Sequence, residues 1–312
     1  MKRDSALTEV VSFYSEGSKL SGDLYLPAGH GKAEKRAAIV LCHGYTGVRN
    51  LYLPEIARAF NAAGYVALTF DYKGWGDREG QKSRLAPYSR VADVQAALTF
   101  LTERREVERE QLGLFGTSYG GATAVWVAAI DLRVKCVVSV VGIGNGARWM
   151  RSVRRPDEYH DLMQRSAADR VSRMLTGKSQ FVDRNEVLLP DRESAQLSAA
   201  ARRNVAAAVS EVPLEFIDDT LSFNPEWVVD KIAPRPILLI TADNDRLVPP
   251  QESEIMYARA GQPKKLVVLK GYGHYQVYAG DALRQVMNAS ISWCSQYLPA
   301  KQIPSESRRK RV

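Results

Sequence analysis

The stretch Gln111-Leu112-Gly113-Leu114-Phe115-Gly116-Thr117-Ser118-Tyr119-Gly120-Gly121 decides how the chain is read. An apolar strand, Gln111–Gly116, runs into a Gly-x-Ser-x-Gly turn, and an Ala/Val-rich helix over Tyr119–Ala129 opens directly behind it. A serine placed there sits on a strained strand-to-helix turn that lifts its hydroxyl clear of the backbone. Glycine is required on either side because a Cβ would strike the neighbouring strand or helix.

Working outward, the flanking sequence alternates strand and helix. Ala37–Cys42 is a continuous apolar run, the signature of a strand covered on both faces. Leu53–Ala63 reads as helix, Tyr65–Phe70 as strand, Ser89–Glu103 as helix and Val134–Val141 as strand. Such alternation predicts an α/β fold built on a mostly parallel sheet with helices on both faces. Ahead of it, Glu9–Tyr14 and Leu20–Leu26 flank a turn at Glu16-Gly17-Ser18, which predicts an antiparallel hairpin. The rhythm breaks between Gly142 and Pro225, where helical patterns (Asp157–Leu175, and the Ala-rich Glu193–Ser210) occur without a convincing strand. Strands resume at Pro236–Thr241 and Lys265–Lys270, each followed by a helix, Gln251–Ala260 and Asp281–Tyr297. The expected organisation is therefore a core of residues 1–142 and 226–300, a helical cap at 143–225, and a solvated basic tail at 301–312.

A serine hydroxyl is a poor nucleophile until a base takes its proton. The chain has four histidines. His30 lies in a polar loop, His160 in the helical insertion, and His43 directly behind a buried strand. His274 follows the last strand, in Gly271-Tyr272-Gly273-His274. A loop at the carboxyl end of a parallel strand opens on the crevice that holds Ser118, so His274 is the candidate base. A carboxylate must orient that base, and Asp243 and Asp245 both follow strand Pro236–Thr241. Spacing does not separate them. Cys42-His43-Gly44-Tyr45-Thr46-Gly47 follows the first buried strand, and the Tyr45 and Tyr119 amides are the candidate oxyanion donors.

These segments together resemble the α/β-hydrolase superfamily, over roughly residues 8–142 and 226–298. The resemblance rests on His43-Gly44-Tyr45, Gly116-Thr117-Ser118-Tyr119-Gly120, Asp245-Arg246-Leu247-Val248-Pro249 and Gly273-His274. The Asp-x-x-Val-Pro motif makes Asp245 rather than Asp243 the implied triad acid. Asp71-Tyr72-Lys73-Gly74-Trp75-Gly76-Asp77 is similar to a loop of esterase-like and dienelactone-hydrolase-like members, with Asp77 where many relatives carry serine. Asp71 is expected to anchor that loop. The resemblance implies a serine hydrolase working through an acyl-enzyme on a small-molecule carboxylic ester. A β-diketone-like metabolite or an amide is the alternative substrate, and a non-catalytic ligand receptor is the competing class. No metal or organic cofactor is required.

In this superfamily an insertion after the sixth strand commonly caps the site, which makes Trp149 and Tyr159 candidate pocket walls. Arg148 and Arg151, from an acid-free run of four arginines at 147–155, are candidates to pair with a substrate carboxylate. That run and the tail account for the net charge of +8, so no broad basic face and no nucleic-acid partner are expected. Three scattered cysteines (Cys42, Cys136, Cys294) form no disulfide framework, and no apolar run suits a signal peptide or a membrane span. A cytoplasmic protein with a small-molecule substrate is expected; the oligomeric state is open, a homodimer being compatible.

Overall fold

A computed structural model describes residues 6–28, 35–76 and 84–300. The readings of His30 as a loop residue, of Asp77 and of the basic tail lie outside the described residues.

Strands β1 (Leu7–Ser15) and β2 (Ser18–Leu26) form the antiparallel hairpin. Its turn takes φ of 45° at Glu16 and 78° at Gly17, the second position filled by the residue that adopts such a backbone without strain. Next come β3 (Arg36–Cys42), α1 (Leu53–Ala62), β4 (Val66–Phe70), α2 (Pro87–Thr102), β5 (Val107–Thr117), α3 (Tyr119–Ile130) and β6 (Val134–Val140). The chain then passes through α4 (Gly146–Ser152), α5 (Pro156–Thr176), β7 (Phe181–Asp183), α6 (Arg184–Leu188), α7 (Arg192–Arg202), β8 (Glu211–Pro213) and α8 (Glu215–Leu221). It returns to the sheet with β9 (Ile237–Ala242), α9 (Gln251–Arg259), β10 (Lys264–Leu269) and α10 (Gly280–Tyr297).

The eight-stranded sheet has the order β1-β2-β4-β3-β5-β6-β9-β10. The hairpin joins it through β2, which pairs antiparallel with β4, and the remaining pairings are parallel. All seven residues of β3 are buried because alternate side chains serve two cores. Ala38, Val40 and Cys42 pack with Val94 and Leu98 of α2 and Val125 of α3. Ala37, Ile39 and Leu41 pack on the other face with Ile56 and Phe60 of α1 and Val286 and Trp293 of α10. Helices thus cover both faces, and the loops after β3, β5, β9 and β10 gather at one edge of the sheet.

Two features of the intervening segment differ from the sequence expectation. It contains a two-stranded antiparallel ribbon, β7–β8, paired from Phe181↔Pro213 to Asp183↔Glu211. Three-residue strands are too short to leave a period in the sequence. The Ala-rich helix stops at Arg202, and Ala206–Ala208 lie in turns closed by Val205 N–H to Arg202 O and Ala208 N–H to Val205 O. Only Ser194 and Ser198 of α7 are buried, so no apolar face holds the alanines that follow in a helix.

All three cysteines are free and buried. The sheet and α10 bring Cys136 and Cys294 together, Sγ to Sγ 3.9 Å, a proximity that scattered sequence positions do not announce. Among the described residues no helix is long and apolar enough to cross a membrane.

Candidate active site

Ser118 links β5 to α3 with φ 54° and ψ −124°, a conformation costing about 1–3 kcal/mol that the surrounding packing must hold. The flanking glycines show how. A Cβ at Gly116 would collide with the Gly120 carbonyl, and one at Gly120 with the Cys42 carbonyl of β3. The Ser118 N–H donates to Val140 O across the β5–β6 seam at 2.8 Å.

His274 follows β10 and is almost fully buried, with Nε2 3.1 Å from Ser118 Oγ and Nδ1 2.7 Å from Asp245 Oδ2. The other Asp245 oxygen accepts the Leu247 and Val248 N–H groups at 2.9 and 2.8 Å. The residues after the aspartate in Asp-x-x-Val-Pro therefore fold back to grip its carboxylate, leaving one oxygen for the imidazole. Asp243 is exposed, accepts the Gly271 N–H at 2.6 Å and faces Lys270 at 3.5 Å. The two aspartates that spacing left equivalent are separated by burial.

The loop after β3 lies against the serine: a Cβ placed on Gly44 would be 3.0 Å from Ser118 Cβ and 3.5 Å from its Oγ. Tyr45 is in this loop, and Tyr119 is the first residue of α3, whose N–H has no intrahelical acceptor. His43 braces the loop. Its Nδ1 faces Gly44 O at 3.1 Å, its ring meets the edge of Tyr72, and burial beside the Arg90 guanidinium holds it well below the usual imidazole pKa. Arg90, itself buried, donates to Gly44 O at 3.3 Å and lies 4.4 Å from the Tyr72 ring centroid. Asp71 accepts the Arg49 N–H at 2.7 Å and pairs with its guanidinium, which also reaches Asp23 at 3.1 Å, so Asp71 holds its loop. His160 is exposed on α5 and faces Gln164, away from this cluster.

Ser118 and His274 open on a cavity of about 30 Å³, room for about two water molecules. Its wall combines the β3 loop (Gly44, Tyr45), aromatic side chains (Tyr52, Tyr275, Tyr278) and the intervening segment. A larger depression of about 240 Å³, lined by Asp191, Glu193, Asn244 and Arg246 among others, shares His274 and Tyr275 with it.

Of the four residues proposed to contact substrate, Trp149 alone lines the cavity, with its Nε1–H held by Leu247 O at 2.7 Å. Arg148 does not. It bridges two buried carboxylates, Glu252 (2.8 and 2.9 Å) and Glu226 (2.6 Å), and is a strut between α4 and the core. Arg151 is exposed on α4, and Tyr159 is half-buried in the packing of α5; neither lines the cavity. The arginines that do are Arg184 and Arg202, from α6 and the end of α7. Arg184 donates to Thr46 Oγ1 at 2.9 Å and Arg202 to Thr46 O at 3.0 Å, clamping a threonine held at φ 50° next to Tyr45. No motif marked either residue, because each reaches the site only through the fold of the intervening segment.

Comparison with known proteins agrees with this architecture. Residues 33–278 match the family model described as serine aminopeptidase, S33. An uncharacterised 31.7 kDa protein from the traX-finO intergenic region of Escherichia coli is 29% identical over 265 residues, 85% of this chain and 92% of that protein. The thiohydrolase aneE of Aspergillus aculeatus is 23% identical, with 96% of each chain covered. Among solved structures, DcsB in complex with its substrate analogue superposes with a TM-score of 0.82 at 21% identity, covering 93% of this chain and 100% of that one. The chain belongs to the serine aminopeptidase S33 family of α/β hydrolases.

Proposed function

We propose that the protein is a serine hydrolase that cleaves a small acyl ester through a covalent acyl-enzyme. The observation that carries this reading is the continuous hydrogen-bonded chain Ser118–His274–Asp245 on the wall of a small cavity. Ser118 Oγ attacks the substrate carbonyl while His274 Nε2 takes its proton. Asp245 fixes the tautomer with the proton on Nδ1 and stabilises the imidazolium. The Tyr45 and Tyr119 amides receive the negative charge of the tetrahedral intermediate, each such donor being worth about 3–4 kcal/mol in the transition state. The imidazolium then protonates the leaving group, the carbon–oxygen bond breaks, and water repeats the sequence to release the acid.

A thioester is the second reading, favoured by the thiohydrolase among the relatives. The same atoms serve, with a thiol leaving in place of an alcohol. Hydrolysis of an amino-terminal peptide is less well supported. An aminopeptidase must hold its substrate's ammonium group, and among the described residues no carboxylate lines the inner cavity.

The first test is labelling with a fluorophosphonate, followed by peptide mass spectrometry, then turnover of matched ester, thioester, amide and β-diketone substrates. A single adduct on Ser118 and fastest turnover of an ester or thioester are expected. Ser118→Ala should lower kcat by about a million-fold with unchanged circular dichroism. Saturable binding of these compounds by a folded protein whose serine takes no label, even from a small phosphonate, would instead make it a receptor.

A further inference from the structure

Two arginines in the cavity wall have no counter-charge among the described residues. Arg184 is 6% exposed, yet all its acceptors are neutral: Thr46 Oγ1, Asn185 Oδ1 (3.3 Å), Ser198 Oγ (3.2 Å) and the Tyr275 hydroxyl (3.2 Å). Arg202, half-buried beside it, donates to Thr46 O and Oγ1 and to the Val209 carbonyl. Among the described residues neither forms an ion pair with a carboxylate, although Arg148, Arg173 and Arg133 elsewhere in the chain all do. Burial first, and then repulsion from Arg184, push the Arg202 guanidinium down to about 10.

Buried cations in proteins are almost always paired, since a charge taken out of water without a partner is strongly disfavoured. A second guanidinium alongside, half-buried, adds like-charge repulsion. The donor count indicates where a partner fits. A guanidinium has five N–H groups. The bonds of Arg184 use four and leave one on Nη2. Those of Arg202 leave the Nε–H and one on Nη2. Both side chains line the cavity that holds Ser118 and His274.

Resting on the acyl-hydrolase reading, we propose that Arg184 and Arg202 form an anion subsite that binds a carboxylate carried by the substrate. The substrate class is then a half-ester or half-thioester of a dicarboxylic acid, or an ester whose leaving group bears the acid. The carboxylate accepts the free N–H groups of both arginines and supplies the missing negative charge. Because the same arginines clamp Thr46, its arrival also tightens the loop that carries the Tyr45 amide.

Two matched substrate pairs test this in the full-length protein: p-nitrophenyl hexanoate against mono-p-nitrophenyl adipate, and phenyl butyrate against 4-carboxyphenyl butyrate. The wild type should prefer the charged member of at least one pair by about 100-fold in kcat/KM, as expected for two charge-assisted hydrogen bonds. The pair showing the preference assigns the side of the scissile bond. Arg184→Gln and Arg202→Gln should each cut that ratio at least tenfold, whatever they do to turnover of the neutral ester. Isothermal titration with adipate provides a readout without chemistry: the wild type binds it, either variant binds it at least tenfold more weakly, and hexanamide does not compete. Equal kcat/KM within both pairs, or adipate binding that survives both substitutions, overturns the subsite while leaving the hydrolase intact. Adipate binding lost in both variants, in a wild type whose Ser118 takes no fluorophosphonate, supports the subsite and fails the hydrolase reading instead.

Discussion

Asp245 and Asp243 stand two positions apart on the same turn, yet burial gives them different chemistry. In Asp245→Asn the amide oxygen can still accept the Leu247 and Val248 N–H groups, so the fold should survive. Its NH₂ would face His274 Nδ1 and force the proton onto Nε2, where it cannot serve a base. We expect kcat to fall by about ten-thousand-fold, against less than about twofold for Asp243→Asn in the same assay. His43 provides a second prediction at this scale. Burial and Arg90 depress its folded pKa, so below about pH 6.5 the unfolded chain takes up a proton that the native chain refuses. The unfolded state binds more protons there, so stability rises with pH and is lost as pH falls through that range, by up to about 1.4 kcal/mol per unit. Urea titrations from pH 7 to pH 5 should show this slope, and His43→Gln should flatten it.

The intervening helices are fixed to the core at particular points, and α4 is the firmest. Glu252 of α9 accepts the Gly144 and Asn145 N–H groups at 2.9 and 2.8 Å as well as the Arg148 guanidinium. Glu226 completes the cluster through Arg148 and the Asn145 amide at 3.0 Å. Arg148→Met removes the one cation among the described residues that reaches both carboxylates and should cost about 3 kcal/mol of stability. If Arg148 were a substrate ligand, the loss would appear in KM and not in the urea midpoint. At this scale the sequence was readable wherever an element buried a regular face: β3 as an apolar run, α3 from its small buried residues, and the β5 turn from its glycines. It was not readable in α6, β7 and β8, which are too short to show a period, nor at the end of α7, where alanine propensity has no packed face behind it.

For the whole molecule, the question is how a substrate reaches a cavity that holds about two water molecules. Beside this cavity, α7 is tied to the His274 loop by an exposed bond from Gln276 Nε2 to Glu193 Oε1 at 2.8 Å. Glu193→Ala removes that bond, worth about 1 kcal/mol, and should speed labelling by a bulky fluorophosphonate up to about fivefold, with little change for a small one. Equal rates for both probes in both proteins would place the route elsewhere. The sequence by itself determined the sheet and the strained serine turn, because each is written in neighbouring residues, apolar runs and paired glycines; spacing left Asp243 and Asp245 equivalent, and the structure separates them by burial and by the Leu247 and Val248 N–H donors. Tertiary structure alone decided which arginines face the cavity. Arg148 was drawn onto buried glutamates 78 and 104 residues away in the chain, while Arg184 and Arg202 were brought to Thr46 from 138 and 156 residues away. Partners so distant are chosen by the packing of separate elements, which no local pattern encodes.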